Sequence, residues 1–308
     1  MSENGLIYIF EKNKFIKIDD WNDVLNRPNF VTSFDPTGKK LVDVIGHYSL
    51  KKQLHCCLTN CNQPHNHGYL VLTSTGEETY IGNRCGKNIF GEINFKTLTR
   101  SFDRSLKISQ AKHSLLDSKS KLDFWFDRLN ALKPIAKIIL KKMSQIANID
   151  QVGSFAKTEF SNMARLGNGR IILTRKAKQD EIDVMKLQGK KPPYVVEDLV
   201  GVVSNVSVLS DANNLKKLLL VELEETLIKL SLMPSDIDDE DFILDTFKRV
   251  NNIENSFNQV ISILDNSKKF FTEKNLKPIL NKMIKDNAIP NNDKDIKIFR
   301  TFLRSLTQ

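Results

Sequence analysis

The sequence predicts an α+β protein that is predominantly helical, with a small β-rich module first and helices after it. Three observations predict this. Alternating, β-prone runs fall before about residue 90 and between 167 and 209, whereas three- and four-residue apolar steps dominate elsewhere. All four cysteines and four of the five histidines lie between His47 and Cys85, which marks a metal-clasped module near the N-terminus. A chain of 308 residues, 40% hydrophobic and 27% charged with only 13 Gly and 9 Pro, can bury a core over more than one domain. That composition excludes wholesale disorder, collagen and a disulfide miniprotein.

The opening elements are short strands. Leu6–Phe10 and Phe15–Ile18 read as a hairpin around Glu11-Lys-Asn-Lys14, Asp35-Pro-Thr-Gly38 as a turn, and Leu41–Leu50 as another strand. Tyr69–Thr73 and Glu78–Ile81 flank Ser74-Thr75-Gly76-Glu77, whose glycine suits the positive φ of a tight turn, so a second hairpin is expected. Gly82-Asn83 then reads as a turn and helix cap. Cys85 falls in the first turn of the short helix that follows, where amide dipoles favour a thiolate.

Within this module Cys57-x3-Cys61 has the spacing of a ligand knuckle, His65 and His67 follow, and Cys85 closes the set. Cys56 is either a small buried hydrophobe or the true knuckle residue. His47 and His55 read as buried side chains. Knuckle, hairpin and a ligand at a helix start are the parts of a treble-clef zinc finger, and residues 55–91 resemble that family. The resemblance implies a bound Zn2+. The segment departs from the family in offering no second helical ligand, since Gly86, Lys87 and Asn88 cannot serve. The fourth ligand then comes from His65-Asn66-His67, with His65 preferred because Cys61-x3-His65 repeats the knuckle spacing, and His67 the alternate. The stretch from Gly68 to Gly91 also resembles segments of uncharacterised phage and mobile-element proteins. Four protein ligands make a structural site, while a catalytic one keeps a position open and needs a nearby carboxylate. Glu77 and Glu78 sit at a hairpin tip instead.

From Phe95 the apolar steps Phe95, Leu98, Phe102 and Leu106, then Ala111, Leu115, Leu122, Trp125, Leu129 and Leu132, predict one long amphipathic helix or two. Lys96, Arg100, Arg104 and Lys107 fall on one stripe of it, downstream of Arg84 and Lys87; Asp103 borders the stripe and is placed to pair with Lys107. Trp125 lies on the apolar face and reads as core. Pro134 is expected to open a second helix, Ile135–Ile149, with Lys137, Lys141 and Lys142 on its outer face. Arg170–Arg175, Tyr194–Val196 and Leu199–Leu209 predict a small antiparallel β unit, and Lys176–Pro193 an exposed basic loop. Leu215–Leu232, Asp239–Val250, Ile253–Phe271, Asn275–Ile284 and Asp293–Leu306 predict a C-terminal helical bundle. Three domains are expected: 1–94 with the zinc finger at 55–91, 95–210 as a basic helical region with the β unit, and 211–308 as the bundle.

The charge is uneven. Residues 51–191 carry 25 Lys and Arg against 12 Asp and Glu, whereas the region 222–241 is acidic, with Asp236-Ile-Asp-Asp-Glu-Asp241 reading as a helix N-terminus. A basic surface of this kind meets phosphate backbones. No nucleophile elbow, P-loop, HExxH or kinase motif is present. The expectation is therefore a non-enzymatic zinc protein that binds nucleic acid, DNA or RNA, through Arg84, Lys87, Lys96, Arg100, Arg104 and Lys107. The alternative is a protein-binding adaptor, phage-encoded and acting on a host machine, that meets its partner through the acidic 222–241 region. A metal-dependent hydrolase stands third. The start, MSENGLIYIFEKNKF, lacks the pattern of a secretory signal, and no run reaches eighteen apolar residues, so a cytoplasmic protein without a membrane span is expected.

Overall fold

In the computed structural model residues 5–286 and 292–306 are described. They divide into two compact units, one ending at Asp117 and including Asp238–Leu244, the other running Ser118–Ile237 and from Asp245 onward.

The first unit is built on a five-stranded antiparallel sheet in the order β2-β1-β3-β4-β5, from β1 (Leu6–Glu11), β2 (Lys14–Ile18), β3 (Leu41–His55), β4 (Pro64–Thr73) and β5 (Glu78–Gly82). Lys12 and Asn13 both have positive φ, the two-residue turn whose twist suits a hairpin. β3 is longer than its sequence pattern suggests, continuing past a bulge between Ser49 and Leu54 to His55. That bend carries the cysteine pair at 56 and 57 off the end of the sheet. One face packs Val44, Tyr69, Val71 and Ile81 against Phe95, Phe102 and Leu106; the other packs Ile7, Ile9, Tyr48 and Leu70 against Val24 of α1 (Trp21–Leu25).

Two helices follow the sheet directly, α2 (Asn83–Phe90) and α3 (Glu92–Ser118). Gly86 sets how closely they meet, because a Cβ there would lie 2.3 Å from the Phe95 ring. Asp103 does not pair with Lys107 as the spacing suggested. It accepts a 2.6 Å hydrogen bond from the Tyr69 hydroxyl, since the sheet beneath α3 presents a buried donor that an exposed lysine cannot outcompete.

The second unit begins with a short 3-10 turn and α4 (Leu122–Ile146). Pro134 lies inside α4 rather than opening a new helix. The buried stripe Trp125, Leu129, Ala136 and Ile139 runs straight across it, and packing of that stripe outweighs the backbone bond the proline removes. Trp125 is core, its indole donating to Glu254 at 2.8 Å, while Phe124 beside it is exposed. Next come α5 (Ile149–Val152), α6 (Ser154–Leu166), β6 (Arg170–Lys176), α7 (Gln179–Leu187) and β7 (Val195–Val202), with β6 and β7 forming an antiparallel pair. The remainder is helical: α8 (Leu215–Lys217), a π-helical stretch Leu218–Glu224, α9 (Glu225–Leu232), α10 (Glu240–Asn251), α11 (Ile253–Phe270), α12 (Glu273–Lys285) and α13 (Asn292–Ser305). Leu215, Leu219, Leu223 and Leu227, all buried, carry the inward face through this stretch.

The expected loop Lys176–Pro193 contains α7, a correction with a visible origin. The Lys178 N–H donates to Glu181 Oε2 at 2.7 Å, and Arg175 holds Glu181 and Asp198 at 2.7 and 2.6 Å, so one carboxylate both starts the helix and ties it to β6. Hydrogen bonding from Arg175 holds the Glu181 carboxyl down to about 2, below its usual 4.5. A depressed carboxyl stabilises above its unfolded pKa and loses that contribution as pH falls toward the folded value. Amide exchange over 178–187, corrected for intrinsic rates, is expected to speed up as pH falls from about 5 to about 2, and Glu181→Gln should abolish this pH response.

Candidate metal centre

The bend in β3, the loop after it and the first turn of α2 converge. The Cys57 carbonyl accepts from the Phe34 N–H at 2.7 Å and the Phe34 carbonyl from the Thr59 N–H at 3.0 Å, so a parallel bridge pins the loop; the Cys61 N–H donates to the Leu58 carbonyl at 3.0 Å and turns it. From β5, Gly82 caps α2 in extended conformation and leaves Cys85 at its third position. The sulfur atoms of Cys56, Cys61 and Cys85 all lie within 4.8 Å of one another, with Cys61 and Cys85 at 3.4 Å.

Tetrahedral zinc with Zn–S near 2.3 Å sets its sulfurs about 3.8 Å apart, so this triad could hold a metal ion such as zinc with small adjustments. Of the two adjacent cysteines the structure brings Cys56 to the cluster. Cys57, one residue further along the bend, points the other way, into the core beside Thr79 and Tyr80. Burial pushes the Cys56 thiol up to about 12 and raises Cys85 as well, whereas the Gln63 backbone N–H lowers Cys61. Three thiols drawn together in part-buried surroundings repel as thiolates. A dication reverses that balance.

Beside Cys85 opens a cleft of about 320 Å³ lined by His65, Asn66, His67, Asn83 and Arg84. His65 Nε2 lies 2.7 Å from the hydroxyl of Tyr48, which is fully buried, and Nδ1 lies 3.2 Å from the Gln63 carbonyl. Gly82 admits the ring, since a Cβ there would sit 3.1 Å from His65 Cγ. His67 is exposed one turn of the strand away. His47 is half buried on β3, stacked on Tyr69 and 3.8 Å from Asp103; burial lowers its pKa more than Asp103 raises it. His55 lies at the end of β3 with Nδ1 3.4 Å from the Asn62 carbonyl. Glu77 and Glu78 are bound to Lys39 and Arg27, so neither faces the cysteines.

The basic residues divide into two groups. Lys96 pairs with Glu92 at 2.5 Å and Arg104 with Glu240 at 2.7 Å. Arg84 and Lys87 on α2, and Arg100 and Lys107 on α3, have no ion pair among the described residues. Tyr48 was not singled out by sequence; its signal was an aromatic with a polar tip at an inward position of an alternating strand. No helix among the described residues is long and apolar enough to cross a membrane. No protein-family model, curated protein or solved structure matches the chain.

Proposed function

We propose that the protein is a non-enzymatic, zinc-containing nucleic-acid-binding protein, in which a structural Zn2+ held by Cys56, Cys61, Cys85 and His65 fixes α2 and α3 against the sheet. His65 is the candidate for the fourth place because it lines the cleft beside Cys85 with its Nε2 held by Tyr48; ligation through Nδ1 would replace that nitrogen's contact with the Gln63 carbonyl. The reading of the surface rests on one observation: Arg84, Lys87, Arg100 and Lys107 are basic, on helices that leave the metal site, and without an ion pair among the described residues. Such groups release counterions when they meet phosphates, DNA or RNA alike. The acidic region behaves differently, since Glu224 binds Lys133, Glu225 binds Lys229 and Glu240 binds Arg104, so much of it is neutralised by the chain's own bases.

The test is the salt dependence of binding to single- and double-stranded oligonucleotides. Replacing Arg84, Lys87, Arg100 and Lys107 together with alanine is expected to flatten the slope of log K against log salt by about 3 while zinc content stays unchanged. Replacing Lys96 and Arg104 should alter it by less than about 1. An unchanged slope in the fourfold variant, or no retention at about 50 mM salt, would overturn the reading.

A further inference from the structure

β2 is the outermost strand of its sheet, and no backbone group among the described residues pairs with its outer edge. The other edge is covered: the Val31 N–H donates to the Glu78 carbonyl at 2.8 Å and the Thr79 hydroxyl to the Val31 carbonyl at 2.9 Å. β2 is only five residues long and carries Lys14 and Lys17, so its edge is guarded by charge rather than covered by chain.

The phase of the hairpin identifies the outward groups. Glu11 and Lys14 flank the two-residue turn and exchange both hydrogen bonds of their pair, and pairs alternate along the ladder. Lys14, Ile16 and Ile18 therefore bond to β1, while Phe15 and Lys17 direct N–H and C=O away from it. Two donors and two acceptors at this spacing match an extended polypeptide. The Phe15 and Lys17 side chains, with Tyr8, face Leu106, Gln110 and His113 of α3 across a cleft of about 470 Å³. Side chains opposite Phe15 and Lys17 on an added strand would enter that cleft.

Charge selects the partner. Glu11 is bound to Arg27, Lys17 lies 3.4 Å from Asp19, and His113 lies 3.7 Å from Asp117. Lys12 and Lys14 have no ion pair among the described residues and are exposed. The same lysines oppose a second copy, whose β2 would bring an equal set of cations to the interface. We propose that the β2 edge takes up an extended acidic segment of a partner protein as a sixth strand. This is independent of the nucleic-acid reading, since it uses neither the metal site nor the basic residues of α2 and α3.

The experiment uses the full chain and a short synthetic peptide of alternating Glu and Val, a Lys and Val counterpart, and the Glu peptide N-methylated at alternate residues. Binding is read by fluorescence anisotropy and by amide exchange at Phe15 and Lys17. The Glu peptide should bind at least about tenfold tighter than the other two and should slow exchange at both amides. Lys17→Pro removes an outward N–H without taking a bond from β1, so it should weaken binding about tenfold, whereas Lys17→Ala, which keeps that N–H, should cost less than about threefold. No binding by the Glu peptide overturns the proposal. So does equal binding by the N-methylated peptide, or unchanged exchange at Phe15 and Lys17, neither of which depends on a variant folding. Self-association of the chain through this edge, removed by Lys17→Pro, would overturn it in favour of a second copy.

Discussion

Cys61→Ser or Cys85→Ser is expected to empty the metal site and cost the first unit on the order of 4 kcal/mol or more, among the largest losses open to a single substitution here. The reason is how little else holds the knuckle. Cys56, Cys57 and Leu58 are buried, but residues 59–63 are polar apart from Cys61, and the backbone bonds that hold them are few: Thr59 N–H to the Phe34 carbonyl at 3.0 Å and Cys56 N–H to the Gln63 carbonyl at 3.1 Å among them. Without metal, three part-buried thiols with conflicting pKa shifts face one another in place of a coordinated ion. Thermal melting of the wild type with and without a chelator, beside both variants, checks this. The chelated wild type should melt with the variants, well below the metal-loaded protein, and a chelator without effect on melting would count against a structural metal.

Gly68→Ala is the second large effect, at about 2–3 kcal/mol with weakened metal retention. Gly68 lies where β4 passes between β3 and β5, paired with Tyr48 on one side and Gly82 on the other. A Cβ there would fall 2.3 Å from the Tyr48 hydroxyl and 2.4 Å from the Ile81 carbonyl. The carbonyl is held in the ladder and cannot retreat, so the tyrosine must move, and its hydrogen bond to His65 goes with it. Gly76→Ala is the control: the position has φ +81° but no heavy atom within 4 Å of a new Cβ, so it should lose only about 1 kcal/mol of backbone preference and no metal. Denaturant midpoints and zinc content of the two variants separate these outcomes.

The architecture was legible where one period dominates. Both N-terminal hairpins, the Cys85 helix, the β6–β7 pair and the C-terminal helices follow from alternation, four-residue steps and turn residues. What escaped was decided by side-chain contacts that periodicity and turn residues do not report. Pro134 looked like a helix start because its local signal is strong, but the buried stripe from Trp125 to Ile139 belongs to one helix. α7 was hidden in a basic segment, since its start depends on Glu181 and its anchoring on Asp198 of β7. The metal set shows the same limit at finer grain. Clustering of the cysteines pointed to the segment where Cys56, Cys61 and Cys85 meet, but no histidine joins their sulfurs, and spacing alone could not choose between Cys56 and Cys57, because that choice turns on where a bulged β3 lets go of the sheet. Pairing of Lys96 and Arg104 with acidic residues was likewise invisible in Arg104's case, its partner Glu240 being remote in the chain.

The most direct test of the metal centre is elemental analysis of purified wild type beside Cys56→Ser and Cys57→Ser. One zinc per chain is expected in the wild type and in Cys57→Ser, and essentially none in Cys56→Ser, because only the Cys56 sulfur joins those of Cys61 and Cys85. Zinc retained by Cys56→Ser and lost from Cys57→Ser, or absent from the wild type, would contradict it.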